Sequence, residues 1–383
     1  MSLNKNLLLN KNKKKVLIIS NYYWTIFNFR KSLIIELQSK GYHVVSIAKY
    51  DGYESNIKKI GCETNDLFID LNNKNIFKDL FTFVNLYIKI KEINPNISII
   101  YTIKPNIYAS MACRFIGIKY VNIITGLGTI FINQTYSFEI IKIMYKYSLS
   151  KSSSVIFQNN SDKNLFKKIG ILPKKYKIIN GSGVDVDKFK KINHVKIKNK
   201  NRGFTFIFIG RLLIEKGVNE FLEAAIKFNN KYTETKFLIV GSYNSNNPSS
   251  IDKGTLNKII KKRGFNYLGF KKNVEKLISV SDCLVLPSYR EGLSRSILEA
   301  MALSKPVITT NTPGCKDLIK NGVNGYLAKP KSSEDLMRCM EKMYCLSKIE
   351  RNKMGSISRK LVIEKYSNKV INTQILNLIN KLT

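Results

Sequence analysis

Short apolar runs recur along this chain at intervals that leave room for one helix between each pair. Lys15-Val-Leu-Ile-Ile-Ser20 reads as a buried strand, and the segment from Thr25 to Gly41 as a helix stopped by glycine. The runs Val44 to Ile47, Leu67 to Ile69, Ile97 to Ile100, Val121 to Ile124 and Val155 to Phe157 continue the alternation. A polar stretch rich in Lys and Asn then intervenes, and a second series begins at Phe204 to Ile209. It continues through Phe237 to Val240, Asn266 to Leu268, Cys283 to Leu286 and Pro306 to Thr309. Short apolar strands alternating with helices predict parallel sheets covered on both faces. Two such series predict two cores, which a chain of 383 residues has the length to fill.

The expected division is a basic polar head over 1–14, a first sheet domain over 15–189, a linker over 190–201, a second sheet domain over 202–355 and a helical segment over 356–383 packing at the domain boundary. In folds of this kind ligands bind at the carboxyl ends of the strands and between domains.

Composition narrows the class. An apolar share of 44% and a charged share of 24% are ordinary for a water-soluble globular chain. No apolar run approaches the ~20 residues of a membrane-spanning helix, since even Phe115 to Ile132 is broken by Lys119, Asn122 and several Gly. The short run Leu7-Leu8-Leu9 is followed by no apolar region of signal-peptide length. The six Cys form no CxxC pair or His-spaced cluster, so reduced and mostly buried thiols are expected. The formal charge of +37 would attract any polyanion. The basic residues, however, are mostly Lys spread along the whole chain beside abundant Ile and Asn. Codon bias and a selected attraction to an anionic membrane surface both account for that pattern.

The densest chemistry lies in Pro287-Ser-Tyr-Arg-Glu-Gly-Leu-Ser-Arg-Ser-Ile-Leu-Glu-Ala-Met-Ala302, which follows a strand and opens a helix. Gly292 permits close approach of a ligand to the backbone, and N–H groups near Leu293 and Ser294 would face an anion at the helix N-terminus. Glu291 and Glu299 can each accept two hydroxyl donors from a vicinal diol. At helical rise they would stand about 12 Å apart, the reach from hexose to ribose in a sugar nucleotide. The bland alternative is that Glu291 caps the helix and Glu299 is solvated. Gly210-Arg211-Leu-Leu-Ile-Glu-Lys216-Gly217 adds a second strand-to-helix loop. Arg211 and Lys216 offer the fixed positive charge a departing diphosphate needs.

Together these segments resemble glycosyltransferase family 4, a group of retaining enzymes with the GT-B fold of two Rossmann-like doubly wound domains facing across a cleft. The family's Glu, seven residues, Glu pattern is met by Glu291 and Glu299, its basic loop by Gly210, Arg211, Lys216 and Gly217, and its downstream turns by Thr312-Pro-Gly314 and Asn324-Gly325-Tyr326. Gly181-Ser-Gly-Val-Asp-Val-Asp-Lys-Phe189 is similar to its interdomain signature. The resemblance implies that Arg211 and Lys216 hold the diphosphate, Glu291 orients the donor sugar, Glu299 holds the ribose, and Gly292 with Leu293 supplies amides.

In the first half, Phe27-Asn-Phe-Arg30, Thr102-Ile-Lys-Pro-Asn-Ile-Tyr108, Thr125-Gly-Leu-Gly128 and Phe157-Gln-Asn-Asn160 resemble the subgroup that adds amino sugars to undecaprenyl-diphosphate-linked saccharides. Arg30 and Lys104, expected just after strands, would then pair with the acceptor's diphosphate, with Gly126 nearby, unless they are ordinary surface cations. Ile103 and Lys104 occupy the acceptor loop where many members carry His, and the only two His, His43 and His194, are poorly placed for a base. The resemblance allows the leaving phosphate itself to take the acceptor proton, with retention of configuration. Asp185-Val-Asp187 spells a metal-binding pair of another transferase fold, but sits in the interdomain signature. No metal or other cofactor is expected.

The expectation is therefore a UDP-sugar-dependent transferase, using a UDP-N-acetylhexosamine, that extends a polyprenyl-diphosphate-linked glycan at the inner face of the cytoplasmic membrane. One rival is a family 4 transferase with another nucleotide sugar and a soluble or lipopolysaccharide acceptor. A nucleic-acid-binding protein is a rival from charge alone; it requires a clustered basic face with interleaved aromatics, whereas the Lys here are dispersed.

Overall fold

The computed structural model describes residues 13–70, 75–126, 137–190, 203–245, 247 and 249–383. Most of the basic head, Gly128, His194 and nearly all of the expected linker lie outside the described residues. The chain divides into two compact units, one of 1–183 with 368–383 and the other of 184–367.

The first unit holds a seven-stranded sheet: β1 Lys15–Tyr22, β2 His43–Lys49, β3 Glu63–Asp66, β4 Ile97–Tyr101, β5 Lys119–Ile124, β6 Ser154–Phe157 and β7 Tyr176–Ile178. Its spatial order is β3-β2-β1-β4-β5-β6-β7 and every pairing is parallel. Among the described residues its helices are α1 Tyr23–Ser39, α2 Glu54–Lys58, α3 Ile76–Ile93, α4 Ile103–Ile116, α5 Ser137–Leu149 and α6 Asn160–Lys168. Successive strand side chains point to opposite faces, and both faces here are covered. Val16 and Ile18 join the core with α1, whereas Leu17 and Ile19 join the core with α3 and α4. That is why β1 reads as a continuous apolar run rather than an alternating one.

The second unit repeats the plan with β8 Thr205–Ile209, β9 Lys236–Val240, β10 Phe265–Tyr267, β11 Cys283–Leu286, β12 Val307–Thr310 and β13 Gly325–Ala328, in the order β10-β9-β8-β11-β12-β13 and parallel throughout. Its helices are α7 Val218–Lys231, α8 Lys253–Ile260, α9 Glu275–Val280, α10 Arg295–Ala302, α11 Ser333–Cys345 and α12 Lys348–Lys365. One buried cluster, dense in Phe206, Phe208, Phe221, Phe228 and Phe237, fills it.

The C-terminal helical segment is two helices. α12 belongs to the second unit, the chain turns at Tyr366 and Ser367, and α13 Asn368–Leu382 returns to the first, burying Ile371, Ile375, Leu376, Leu378 and Ile379 against the α1 side of the sheet. Leu67 to Ile69 is not a strand. β3 ends at Asp66, and Leu67 and Ile69 tuck into the core beyond it. Among the described residues no helix is long and apolar enough to cross a membrane.

Candidate functional site

In a doubly wound sheet the crevice opens where strand order reverses, outside the carboxyl ends of the two central strands. In the second unit those strands are β8 and β11, and the loops that follow them carry the two motifs. Glycines press these loops together. A Cβ on Gly217, at φ +71°, would stand 2.1 Å from the Pro287 carbonyl oxygen, and one on Gly241 would stand 1.7 Å from that of Gly210. The Tyr289 N–H donates to the Glu215 carbonyl at 2.9 Å, as does the Ser288 hydroxyl at 3.1 Å. This stitching brings Lys216 Nζ to 2.6 Å from Glu291 Oε1, both side chains mostly buried.

Glu291 is held from a third side. Its N–H donates to the Pro313 carbonyl at 3.0 Å, and a Cβ on Gly314, at φ +76°, would stand 2.2 Å from its own carbonyl oxygen. The Thr312-Pro-Gly314 turn is thus a backrest for Glu291, a role its sequence did not announce. Thr310 and Thr312 both donate to the Ser288 carbonyl, and buried Cys315 lies behind, its thiol pushed up to about 11 by burial and by the nearby Glu291 carboxylate. Arg211, just past β8, is exposed and, among the described residues, its guanidinium has no hydrogen-bond or ion-pair partner.

The helix α10 starts at Arg295, with Ser294 as its N-cap and no side-chain cap. Glu291 therefore stands in the preceding loop, engaged by Lys216, and does not cap the helix. Because helical geometry begins only at Arg295, a helical rise does not measure the Glu291 to Glu299 separation. The Ser294 N–H is not free either; it reaches the Gly314 carbonyl at a long 3.5 Å. Gly292 and Leu293 are partly buried in the same loop. Glu299 is not a solvated helix residue: its Oε1 accepts from Arg295 Nε at 2.9 Å and its side chain is mostly buried. Burial pushes its carboxyl above the ordinary carboxylate range, opposed by Arg295 and, more weakly, by Lys188. Lys188, from the Gly181 to Phe189 signature, stands 3.8 Å from Glu275. Arg295 and Lys188 are site neighbours that spacing alone did not single out.

The first unit corrects one expectation of position. Arg30 does not follow a strand: it lies inside α1, is only 6% exposed, and stacks its guanidinium 4.0 Å from the centre of the buried Tyr101 ring. It is a mostly buried cation packed on a core ring, not a surface cation. Lys104, in the first turn of α4, is bound to the Asp79 carboxylate and to the Asp70 carbonyl, each at 2.6 Å. Gly126 does sit past the carboxyl end of β5, at φ +138°.

The sequence reading quoted Thr102 only as part of its motif and gave it no role. It joins β4 to α4 at φ +68°, ψ 163°, conformational space that a β-branched residue occupies only under constraint. Its hydroxyl donates to Asn21 Oδ1 at 2.9 Å, across the reversal between β1 and β4. His43 begins β2, at the opposite end of the sheet, beside Glu63 at 3.7 Å. The Asp185 carboxylate accepts from the N–H groups of Asp187 and Lys188, which gives that pair a turn-forming role.

Tandem Rossmann-like sheets, with a basic loop and a paired acidic loop at the strand reversal of the second, define a GT-B architecture. Comparison with known proteins agrees. Residues 189–361 match the family described as glycosyl transferases group 1, and residues 15–159 the one described as glycosyl transferase 4-like. The UDP-Gal:alpha-D-GlcNAc-diphosphoundecaprenol alpha-1,3-galactosyltransferase of Escherichia coli is 31% identical over 67% of this chain and 68% of its own length. The N,N'-diacetylbacillosaminyl-diphospho-undecaprenol alpha-1,3-N-acetylgalactosaminyltransferase of Campylobacter jejuni is 28% identical over 82% of this chain and 84% of its own. The chain belongs to the family 4 glycosyltransferases and is an enzyme of that class. The Anabaena HepE protein, solved with UDP and glucose, has the same fold at a TM-score of 0.80 and 17% identity, covering 96% of this chain and all of that one.

Proposed function

We propose that this enzyme transfers an N-acetylhexosamine from its UDP conjugate to a saccharide carried on polyprenyl diphosphate, at the inner face of the cytoplasmic membrane, in surface-glycan synthesis. The observation that carries the donor half is the 2.6 Å pairing of Lys216 with Glu291 at the β8/β11 reversal, with Arg211 just past β8. Likeness to two transferases named for diphosphoundecaprenol-linked acceptors supports the acceptor half.

In this reading the ammonium of Lys216 keeps one donor on Glu291 and turns its others, with Arg211, toward the diphosphate. Glu291, fixed by Lys216 and by the Thr312 to Gly314 turn, accepts from hydroxyls of the donor sugar. Glu299 holds the ribose. The bond from the anomeric carbon to the β-phosphate oxygen breaks as an acceptor hydroxyl bonds to that carbon on the same face. The departing phosphate takes the hydroxyl proton, so configuration is retained and UDP is released. Fixed cations stabilise the charge that develops on the leaving group, and we propose that turnover needs no divalent metal. EDTA-treated enzyme is accordingly expected to keep its rate.

The test is transfer of radiolabel from a panel of UDP- and GDP-sugars to purified polyprenyl-diphosphate-linked N-acetylhexosamine. Label entering the solvent-extractable lipid from one UDP-sugar is the expected result. No label from any donor, with UDP binding intact, overturns the lipid acceptor.

A further inference from the structure

The helix α3 is apolar on both sides. Its inward side buries Leu86, Ile90 and Ile93, as a surface helix should. Its outward side, at the same helical spacing, carries Phe77, Phe81, Val84 and Ile88, exposed by 79%, 55%, 43% and 49%. A helix facing water ordinarily carries polar side chains there. The exposure does not stop at one helix. α4 packs against both α3 and α5, and it exposes Phe115, whose ring lies 6.1 Å from that of Phe83. α5 exposes Ile140 and Ile143 to about the same degree as Phe115. Three neighbouring helices thus present one apolar face, larger than the scattered exposed apolar residues of an ordinary surface.

The charges around it are predominantly basic. Lys89 and Lys91 follow on α3, and Lys142 and Lys146 lie on α5. Arg114 on α4 stacks 4.0 Å over the Tyr147 ring. Against them stand Glu92 and Glu139, the latter already bound by Lys142. The nearby Asp79 and Asp70 are occupied by Lys104 and Lys78. An apolar face flanked by cations fits the boundary of an anionic bilayer, where hydrophobic burial and headgroup attraction act together. A second copy of this chain fits poorly, because each copy carries +37 and would bring the same sign to the contact.

We propose that the face formed by α3, α4 and α5 seats the first unit on an anionic lipid bilayer, with Phe77 and Phe81 entering the acyl boundary. The proposal rests on the lipid-linked acceptor read above and names the surface by which the enzyme reaches it. It does not depend on which sugar is transferred.

The experiment is flotation of the full chain with vesicles of phosphatidylcholine alone or with about one third phosphatidylglycerol. Wild type is expected to float with the anionic vesicles. The double variant Phe77→Ser, Phe81→Ser is expected to lose more than about tenfold in partitioning, since two interfacial aromatic rings no longer leave water. Its Tm and UDP affinity stay those of wild type, because both side chains are exposed and lie outside the donor loops. Lys142→Gln with Lys146→Gln is expected to reduce the preference for anionic over neutral vesicles. Wild type failing to float, or the Phe variant floating as well as wild type, overturns the proposal. So does a concentration-dependent dimer in light scattering that the Phe variant abolishes, which would assign the face to a second copy. Lipid-acceptor transfer failing while flotation succeeds would instead strike the functional reading and leave this surface standing.

Discussion

At the scale of single residues the site is a set of charges held where water would otherwise separate them. Lys216 shares its charge with Glu291, whereas the exposed Arg211 guanidinium has no hydrogen-bond or ion-pair partner among the described residues. Removing one preorganised donor from developing charge costs about 100-fold or more in turnover, so Arg211→Ala is expected to lower kcat by that order and change UDP affinity much less. Steady-state kinetics beside calorimetric UDP binding separates the two, and equal kcat in variant and wild type would refute the assignment. Glu299 gives a pH signature. Burial raises its carboxyl above the ordinary value, so on acidification it takes up a proton sooner than an exposed glutamate. Only the ionised form accepts two ribose hydroxyls. UDP affinity should therefore fall with decreasing pH, beginning above the usual carboxylate range. Glu299→Gln should bind weakly at neutral pH and lack that component, which calorimetry of both proteins between about pH 7.5 and 5 reads, with the phosphate titration of UDP common to both. Glu291, Glu299, Arg211 and Lys216 were legible in sequence as candidates because they carry chemistry that survives without geometry. Arg30 was misread for the converse reason. A cation near an apolar run looks accessible until the helix is known to begin at Tyr23 and to turn it onto Tyr101.

At the scale of elements, turns do the positioning. Gly314→Ala would add a Cβ 2.2 Å from the Glu291 carbonyl at a backbone angle disfavoured for alanine. The expected result is a stability loss of about 1–3 kcal/mol, seen as a lowered Tm, together with loss of donor-sugar binding as Glu291 shifts. Thr102 predicts the opposite pairing. Thr102→Gly should relieve strain and raise Tm by a few degrees, while lowering transfer if the Thr102–Asn21 link orders the acceptor side; a variant that is both more stable and fully active would show that the strain serves no step. The strain at Thr102 was invisible in sequence because a single residue forced into an unfavoured conformation has no compositional mark. The long apolar strands, by contrast, announced themselves. β7 and β13 did not: Tyr176-Lys-Ile178 is short and largely exposed at a sheet edge, and Gly325-Tyr-Leu-Ala328 opens on a glycine that a strand pattern ordinarily excludes.

At the scale of the whole molecule, two sheets were readable from two series of apolar runs, and the division between them was not. The polar stretch after Lys190 draws the eye, but the compact units part at Gly183 and Val184, and the chain recrosses at Ser367 and Asn368. Recrossing is a tertiary event with no local signal. It makes α13 part of the first core, so Ile379→Ala, at a fully buried position, is expected to cost about 2–5 kcal/mol. Scanning calorimetry should show that loss in the transition that UDP does not raise, because the proposed UDP site lies in the other unit.

The recrossing also orders events during synthesis. Residues 15–178 supply every strand of the first sheet early. The helix that seals its α1 side, Asn368–Leu382, is translated only after the whole of the second unit. Until then Val16, Ile18, Leu33 and Leu37 lack part of their cover. A nascent chain thus carries an open apolar seam for as long as the ribosome takes to make residues 184–367, the interval in which a chaperone would find it.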